Sequence, residues 1–158
     1  MAVTGYWYTK GMAQLANGVN WTADSASLMC ALMGTGFSIA TNQGQTSKEF
    51  WSEVSAYEVG AGGAPTNYTA KGKTLGATTF TVTLDSGKTV ALKTTSATNL
   101  VWTTPTLTTH GAVIFKDTGV AGTSPIVAFL DWGGGQSPAA GDFTITWHTD
   151  GIGKVTVA

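Results

Sequence analysis

Apolar positions along this chain come in short, strand-sized runs separated by Gly, Thr, Ser and Asn. Between His110 and Trp132, two runs, Ala112–Phe115 and Ile126–Leu130, flank a Gly/Thr/Ser loop. Each is too short for a typical helix, rich in β-branched and aromatic residues, and bounded by turn formers, so both are predicted strands. Neither alternates cleanly with polar residues, which predicts burial on both faces and a place at the centre of the sheet system.

Other segments follow the same logic. Ser27–Met33 is a predicted strand and Gly34–Gln45 a loop. Lys48–Val54 reads as one helical turn anchored by Phe50 and Trp51, and Ala56–Val59 as another short strand. Gly60–Asn67, rich in Gly and Pro, ends the first half, and Gly133–Gly141 reads as a flexible surface loop before a strand starting at Asp142. In residues 1–20, Met12, Ala13, Gln14, Leu15 and Ala16 favour helix and Gly18 is placed to end it, which predicts a short helix or an extended arm. Tyr6, Trp7 and Tyr8 then need either a partner surface or their own core. Residues 21–158 are expected to form a single β domain.

Two hairpin registers can be tested by asking which loop length sets like opposite like. A three-residue loop at Asp85-Ser86-Gly87 pairs Val82 with Val90, Phe80 with Leu92 and Thr83 with Thr89. By the same test, a loop at Thr149-Asp150-Gly151 pairs Ile145 with Val155, Phe143 with Val157 and Trp147 with Gly153. Both loops end in Gly, as a type I turn followed by a left-handed residue requires. The expectation is an all-β fold, a sandwich or barrel of antiparallel hairpins with Greek-key or meander connections. No repeat period suggests a solenoid or propeller.

Composition narrows the function classes. Of 158 residues only 11% are charged, against a usual quarter, and roughly one in six is threonine. Threonine suits a half-buried pleated surface. A surface of this kind, at net charge −1, has little electrostatic repulsion to keep copies apart. The eight Lys and Arg are scattered, so there is no footprint for a nucleic-acid backbone. The single cysteine, Cys30, lies in an apolar run and reads as a small buried hydrophobe. No apolar segment reaches membrane-spanning length, and the N-terminus lacks the pattern of a secretory signal, which predicts synthesis and folding in a cytoplasm. The triplets at Asn20 and Asn67 are then chance matches to a glycosylation signal.

Candidate chemistry is sparse. Gly72-Lys73-Thr74 and Gly87-Lys88-Thr89 resemble the end of a phosphate loop, but the earlier glycine each needs is replaced by Asn67 and Val82. His110 and His148 lack a nucleophile-elbow context or a paired base and orienter, so catalysis is not expected. Asp131, Asp142 and Asp150 lack calcium-loop spacing and read as turn and strand-end residues. Neither metal nor cofactor is expected. The six tryptophans would suit a sugar platform, although most should be core.

Several phrases together resemble a family of small structural proteins of tailed bacteriophages. They are Asn20-Trp21-Thr22-Ala23-Asp24 before the strand at Leu28; Glu58-Val59 with the Gly loop and Tyr68-Thr69-Ala70; Val101-Trp102 leading to Gly111–Asp117; and Ser124-Pro125-Ile126 through Leu130-Asp131-Trp132, closing with Asp142–Ile145. The similarity covers most of residues 17–157. Such relatives commonly show paired glycines after the Tyr-Thr-Ala step, where this chain has Lys71. The resemblance implies a virion component, most plainly a capsid decoration (cement) protein on the outer head surface, with the major capsid protein as partner and a trimer as the favoured oligomer. It carries over no catalytic residue. Candidate interface positions are Tyr6, Trp7 and Tyr8 in the arm, and Trp132 and Pro138 in and beside the Gly133–Gly141 loop, with Gly34–Gln45 and Gly60–Asn67 as further candidate loops. A tail or fibre component and a carbohydrate-binding module for host attachment are the alternatives.

Overall fold

The computed structural model describes residues 4–38, 48–61, 63, 65–83, 89–94, 99–138, 141–147 and 152–156. In chain order the elements are β1 (Thr4–Trp7), α1 (Thr9–Asn17), β2 (Leu28–Met33), β3 (Lys73–Thr74), β4 (Thr78–Thr83), β5 (Thr89–Thr94), β6 (Leu100–Trp102), β7 (Thr109–Lys116), β8 (Ile126–Gln136), β9 (Phe143–Ile145) and β10 (Gly153–Thr156). They form three antiparallel sheets: β1-β8-β7-β2-β3, β10-β5-β4 and β6-β9. The fold is all-β with one short helix.

The two runs between His110 and Trp132 are β7 and β8, paired at the heart of the five-stranded sheet. Burial on both faces is what their unbroken apolar character predicts, and alternate residues feed two cores. On one face Cys30, Leu32, Ala112, Ile114 and Leu130 pack with Leu100, Trp102, Phe143 and Ile145 from β6 and β9. On the other, Ala31, Met33, Val113, Phe115 and Phe129 pack under Tyr8, Phe37, Trp51 and Val54. At the rate of about 25 cal/mol per Å² of apolar surface, this two-sided burial is the main stabilising term.

Local chemistry explains the flanking pieces. The helix α1 ends at Gly18, whose N–H donates to the Gln14 carbonyl at 2.8 Å. Gly11 lets it lie directly on β8, because a Cβ there would strike the carbonyls of Ile126 and Val127. The expected helical turn near residue 50 is a 3-10 turn, Trp51–Glu53. Glu53 secures it by accepting the N–H groups of Glu49 and Phe50 at 2.7 and 2.8 Å.

The first hairpin has the expected register, with Phe80 opposite Leu92, Val82 opposite Val90 and Thr83 opposite Thr89. Its loop lies outside the described residues, as do residues 39–45 of the Gly34–Gln45 loop.

Three expectations are corrected. The C-terminal hairpin does not form: β9 pairs with β6, setting Ile145 against Leu100 and Phe143 against Trp102, while β10 pairs with β5. Alternation fixes which residues share a face but not which strand lies opposite, and Val90 matches Val155 as well as Val82 does. Ala56–Val59 is not a strand. The N–H groups of Tyr57 and Glu58 bond back to Val54 and Ser55, so a 3-10 turn at Ser55–Tyr57 uses the donors a ladder would need. Glu58 keeps a single bridge to Met33. Finally, the glycines after Trp132 continue β8 as far as Gln136, which pairs with Thr109. The chain bulges between Asp131 and Gln136, and Gly133, at φ +71°, makes the left-handed step that a side chain would resist.

Candidate functional site

Polar side chains converge at the end of the sheet where β7 finishes. Asn67, Lys71 and Gly72 all have positive φ (62°, 68° and 72°), folding this segment back against β2. Gly72 lies so close that a Cβ would strike the Cys30 carbonyl. Glu58 receives the segment, accepting the Tyr68 hydroxyl at 2.9 Å and the Lys71 N–H. The Tyr68 oxygen in turn accepts the Leu32 N–H at 3.0 Å. Burial pushes the Glu58 carboxyl above its usual range, outweighing the hydrogen bonds from Tyr68 and Lys71 that favour its charge. The Lys71 ammonium reaches both Asp117 oxygens, at 3.0 and 2.7 Å. Burial would raise the Asp117 carboxyl, but Lys71 and the Gly119 N–H outweigh it and hold the group low. Beside them Lys116 pairs with Asp24 at 2.8 Å.

That clamp holds one side of the loop Asp117–Ser124. The other side is held by the Trp51 N–H, which donates to the Ser124 carbonyl at 2.7 Å. Within the loop the Val120 carbonyl accepts from the Thr118 hydroxyl (3.1 Å), the Thr123 N–H (3.0 Å), the Thr123 hydroxyl (3.2 Å) and the Ser124 hydroxyl (2.9 Å). Asp117 caps the turn through the Gly119 N–H at 2.9 Å. The Val120 side chain projects from this scaffold at 60% exposure.

An open groove of about 350 Å³ adjoins the Glu58 side of this cluster, lined among others by Gly34, Tyr57, Glu58, Pro65 and Leu107.

The predicted interface residues do not form one surface. Tyr8 is 1% exposed in the second core, and its N–H donates to the Val127 carbonyl at 3.1 Å. Trp132 is 5% exposed, with its indole N–H donating to the Thr109 hydroxyl at 3.3 Å. Both side chains fill cores. Tyr6 and Trp7 are half-buried, because β1 pairs with β8 rather than projecting as an arm; Tyr6 lies on Phe129. Pro138 is half-buried beyond the end of β8. Trp21, Trp51, Trp102 and Trp132 are buried, and Trp7 and Trp147 are half-buried against the first core.

The titratable groups are engaged in structure. Each of the seven described carboxylates, Asp24, Glu49, Glu53, Glu58, Asp117, Asp131 and Asp142, accepts a hydrogen bond from within the chain. Asp131 caps Gly133 and Asp142 caps Thr104, as turn and strand-end residues do. Cys30 is fully buried and its thiol is pushed up to about 12 by burial. His110 is half-buried beside the Gly135 backbone, and Lys73-Thr74 is an edge strand rather than a helix start. His148 and Asp150 lie outside the described residues. Among the described residues no group of three His, Cys, Asp or Glu could hold a metal ion, and no helix is long and apolar enough to cross a membrane.

Residue-by-residue reading missed the braced loop. Its signal is the turn chemistry of Asp117-Thr118-Gly119 and Thr123-Ser124, whose short polar side chains bond their own backbone. Comparison with protein-family models, with curated proteins and with solved structures finds no match.

Proposed function

We propose that this chain is a non-enzymatic virion component, a capsid decoration protein that binds the outer head surface and bridges neighbouring major capsid subunits. One observation carries the non-catalytic part: all seven described carboxylates cap turns or tie elements together, in a chain poor in charge and rich in hydroxyls. Such a chain suits packing against protein more than proton transfer, which needs titratable groups free to exchange. The capsid part rests on the resemblance of the phrases between Asn20 and Ile145 to phage structural proteins. The mechanism is mechanical. Many copies, each making modest contacts repeated by symmetry, raise the cost of separating subunits under internal DNA pressure.

The test is co-sedimentation with expanded, undecorated phage capsids, beside a light-scattering mass. Saturable binding at a fixed ratio to the capsid subunit is expected, with a trimeric mass if the sites lie on threefold axes. Absence of binding to shells overturns the proposal in favour of a tail or fibre role.

A further inference from the structure

We propose that the groove beside Glu58 is a binding site for a small alkyl ammonium ion, held by the second carboxylate oxygen of Glu58. The inference is independent of the decoration reading. The groove, of about 350 Å³, falls in the size range of small-molecule sites, and its lining includes Tyr57, Glu58, Val59, Pro65 and Leu107. Glu58 is half-buried, and the two hydrogen bonds it accepts, from the Tyr68 hydroxyl and the Lys71 N–H, both end on Oε1. Among the described residues, Oε2 accepts none.

Charge decides the class of ligand. The Lys71 ammonium favours the Glu58 charge, yet it is taken up by both Asp117 oxygens. Glu58, Asp117 and Lys71 together therefore carry one negative charge in excess. Burial pushes the Glu58 carboxyl up, a sign that its charge is poorly solvated. An anion would be repelled here, and a neutral apolar guest would strip water from Oε2 without replacing its hydrogen bond. A divalent metal ion needs several oxygen ligands, and no group of three His, Cys, Asp or Glu gathers among the described residues. An ammonium ion supplies the charge and the donor at once, in a charge-assisted bond. Val59, Pro65 and Leu107 offer apolar surface to a few methylenes, and Tyr57 brings a ring of the kind that attracts cations. Among the described carboxylates Glu53, Asp131 and Asp142 also lack an ion pair, but none of them lines this groove.

The experiment follows backbone amide shifts of the full-length protein by NMR during titration with n-butylammonium chloride, with n-butanol as the neutral isostere. E58Q keeps the shape and removes the charge, and D131N removes a carboxylate charge outside the groove; thermal melting checks that both fold. Wild type and D131N are expected to show saturable shifts at Gly34, Gly60 and Leu107, and n-butanol none. E58Q is expected to stay folded and to raise the Kd at least about tenfold, through loss of a charged hydrogen-bond partner. Equal Kd for wild type and E58Q overturns the inference, as does equal binding of amine and alcohol, or shifts that never saturate. Tighter binding of a blocked lysine (Nα-acetyl-lysine methylamide) than of n-butylammonium also overturns it, since the groove would then take a side chain of a protein partner. None of these outcomes bears on capsid binding, so the decoration reading is tested separately.

Discussion

The Trp51 indole lies flat on the Phe115 ring, with centroids 4.3 Å apart and planes 5° from parallel. One ring comes from a 3-10 turn and the other from the central strand β7, so this stack fastens the 48–59 segment over the second core. Trp51→Ala removes a nearly fully buried ring and leaves a cavity. It is expected to destabilise the protein by about 3–5 kcal/mol in urea unfolding, and Trp51→Phe by clearly less.

Lys71 occupies a left-handed backbone position at φ 68°, a conformation that glycine adopts at little steric cost. The conformation is kept and its cost is borne by a lysine that pairs with Asp117. Lys71→Ala loses the pair and keeps the strain, whereas Lys71→Gly loses the pair and relieves it. Glycine should therefore be more stable than alanine here by about 1 kcal/mol, the reverse of their order in a helix, as denaturant midpoints would show.

Thr109 is fully buried, and its hydroxyl donates toward the carbonyls of Met33 and Gly111 while accepting the Trp132 indole N–H. Thr109→Val keeps the shape but strands that N–H and the Met33 carbonyl. A loss of about 1–3 kcal/mol is expected by calorimetry, and Thr109→Ser should stay near wild type.

Two carboxylates should pull stability in opposite directions with pH. Asp117 is held below its ordinary 3.8, so its contribution is present above that value and is lost as pH falls through the lower folded pKa. Glu58 is held above its ordinary 4.5, so its contribution is fully present below 4.5 and is lost as pH rises through the higher folded pKa. Near neutrality D117N should be less stable than wild type and E58Q more stable. Urea melts between pH 3 and 8 should show the E58Q gap closing first on acidification, in a window above that of Asp117.

The central pair β7–β8, the strand β2, the helix and the first hairpin register were legible because each depends on local pattern: run length, period and turn residues. Strand partnership was not. Phe143 and Ile145 carry an alternation that several strands could answer, and Trp102 and Leu100 answer it from 41 and 45 residues away. The run of glycines after Trp132 looked like loop because glycine marks loops and bulges alike, and only the pairing of Gln136 with Thr109 separates the two. At the candidate site, aromatic residues drew attention to Tyr8 and Trp132, which burial claims for the cores. Val120 stands out only once the hydroxyls beneath it are seen to converge.

Burial on both faces of the central sheet removes a safeguard that most sheets possess. Where one face meets water, a slip of one residue turns an apolar row outward and is rejected by solvent. Here a slip of β7 against β8 would only exchange Ala112 and Ile114 with Val113 and Phe115 between two apolar compartments. Polarity cannot tell the right pairing from the wrong one. Shape must do so, and Gly111 supplies it: a Cβ there would strike the Leu130 carbonyl and the Phe129 ring, so no other β7 residue fits that place. Correct alignment is thus proofread by volume, at a buried position that bears no charge.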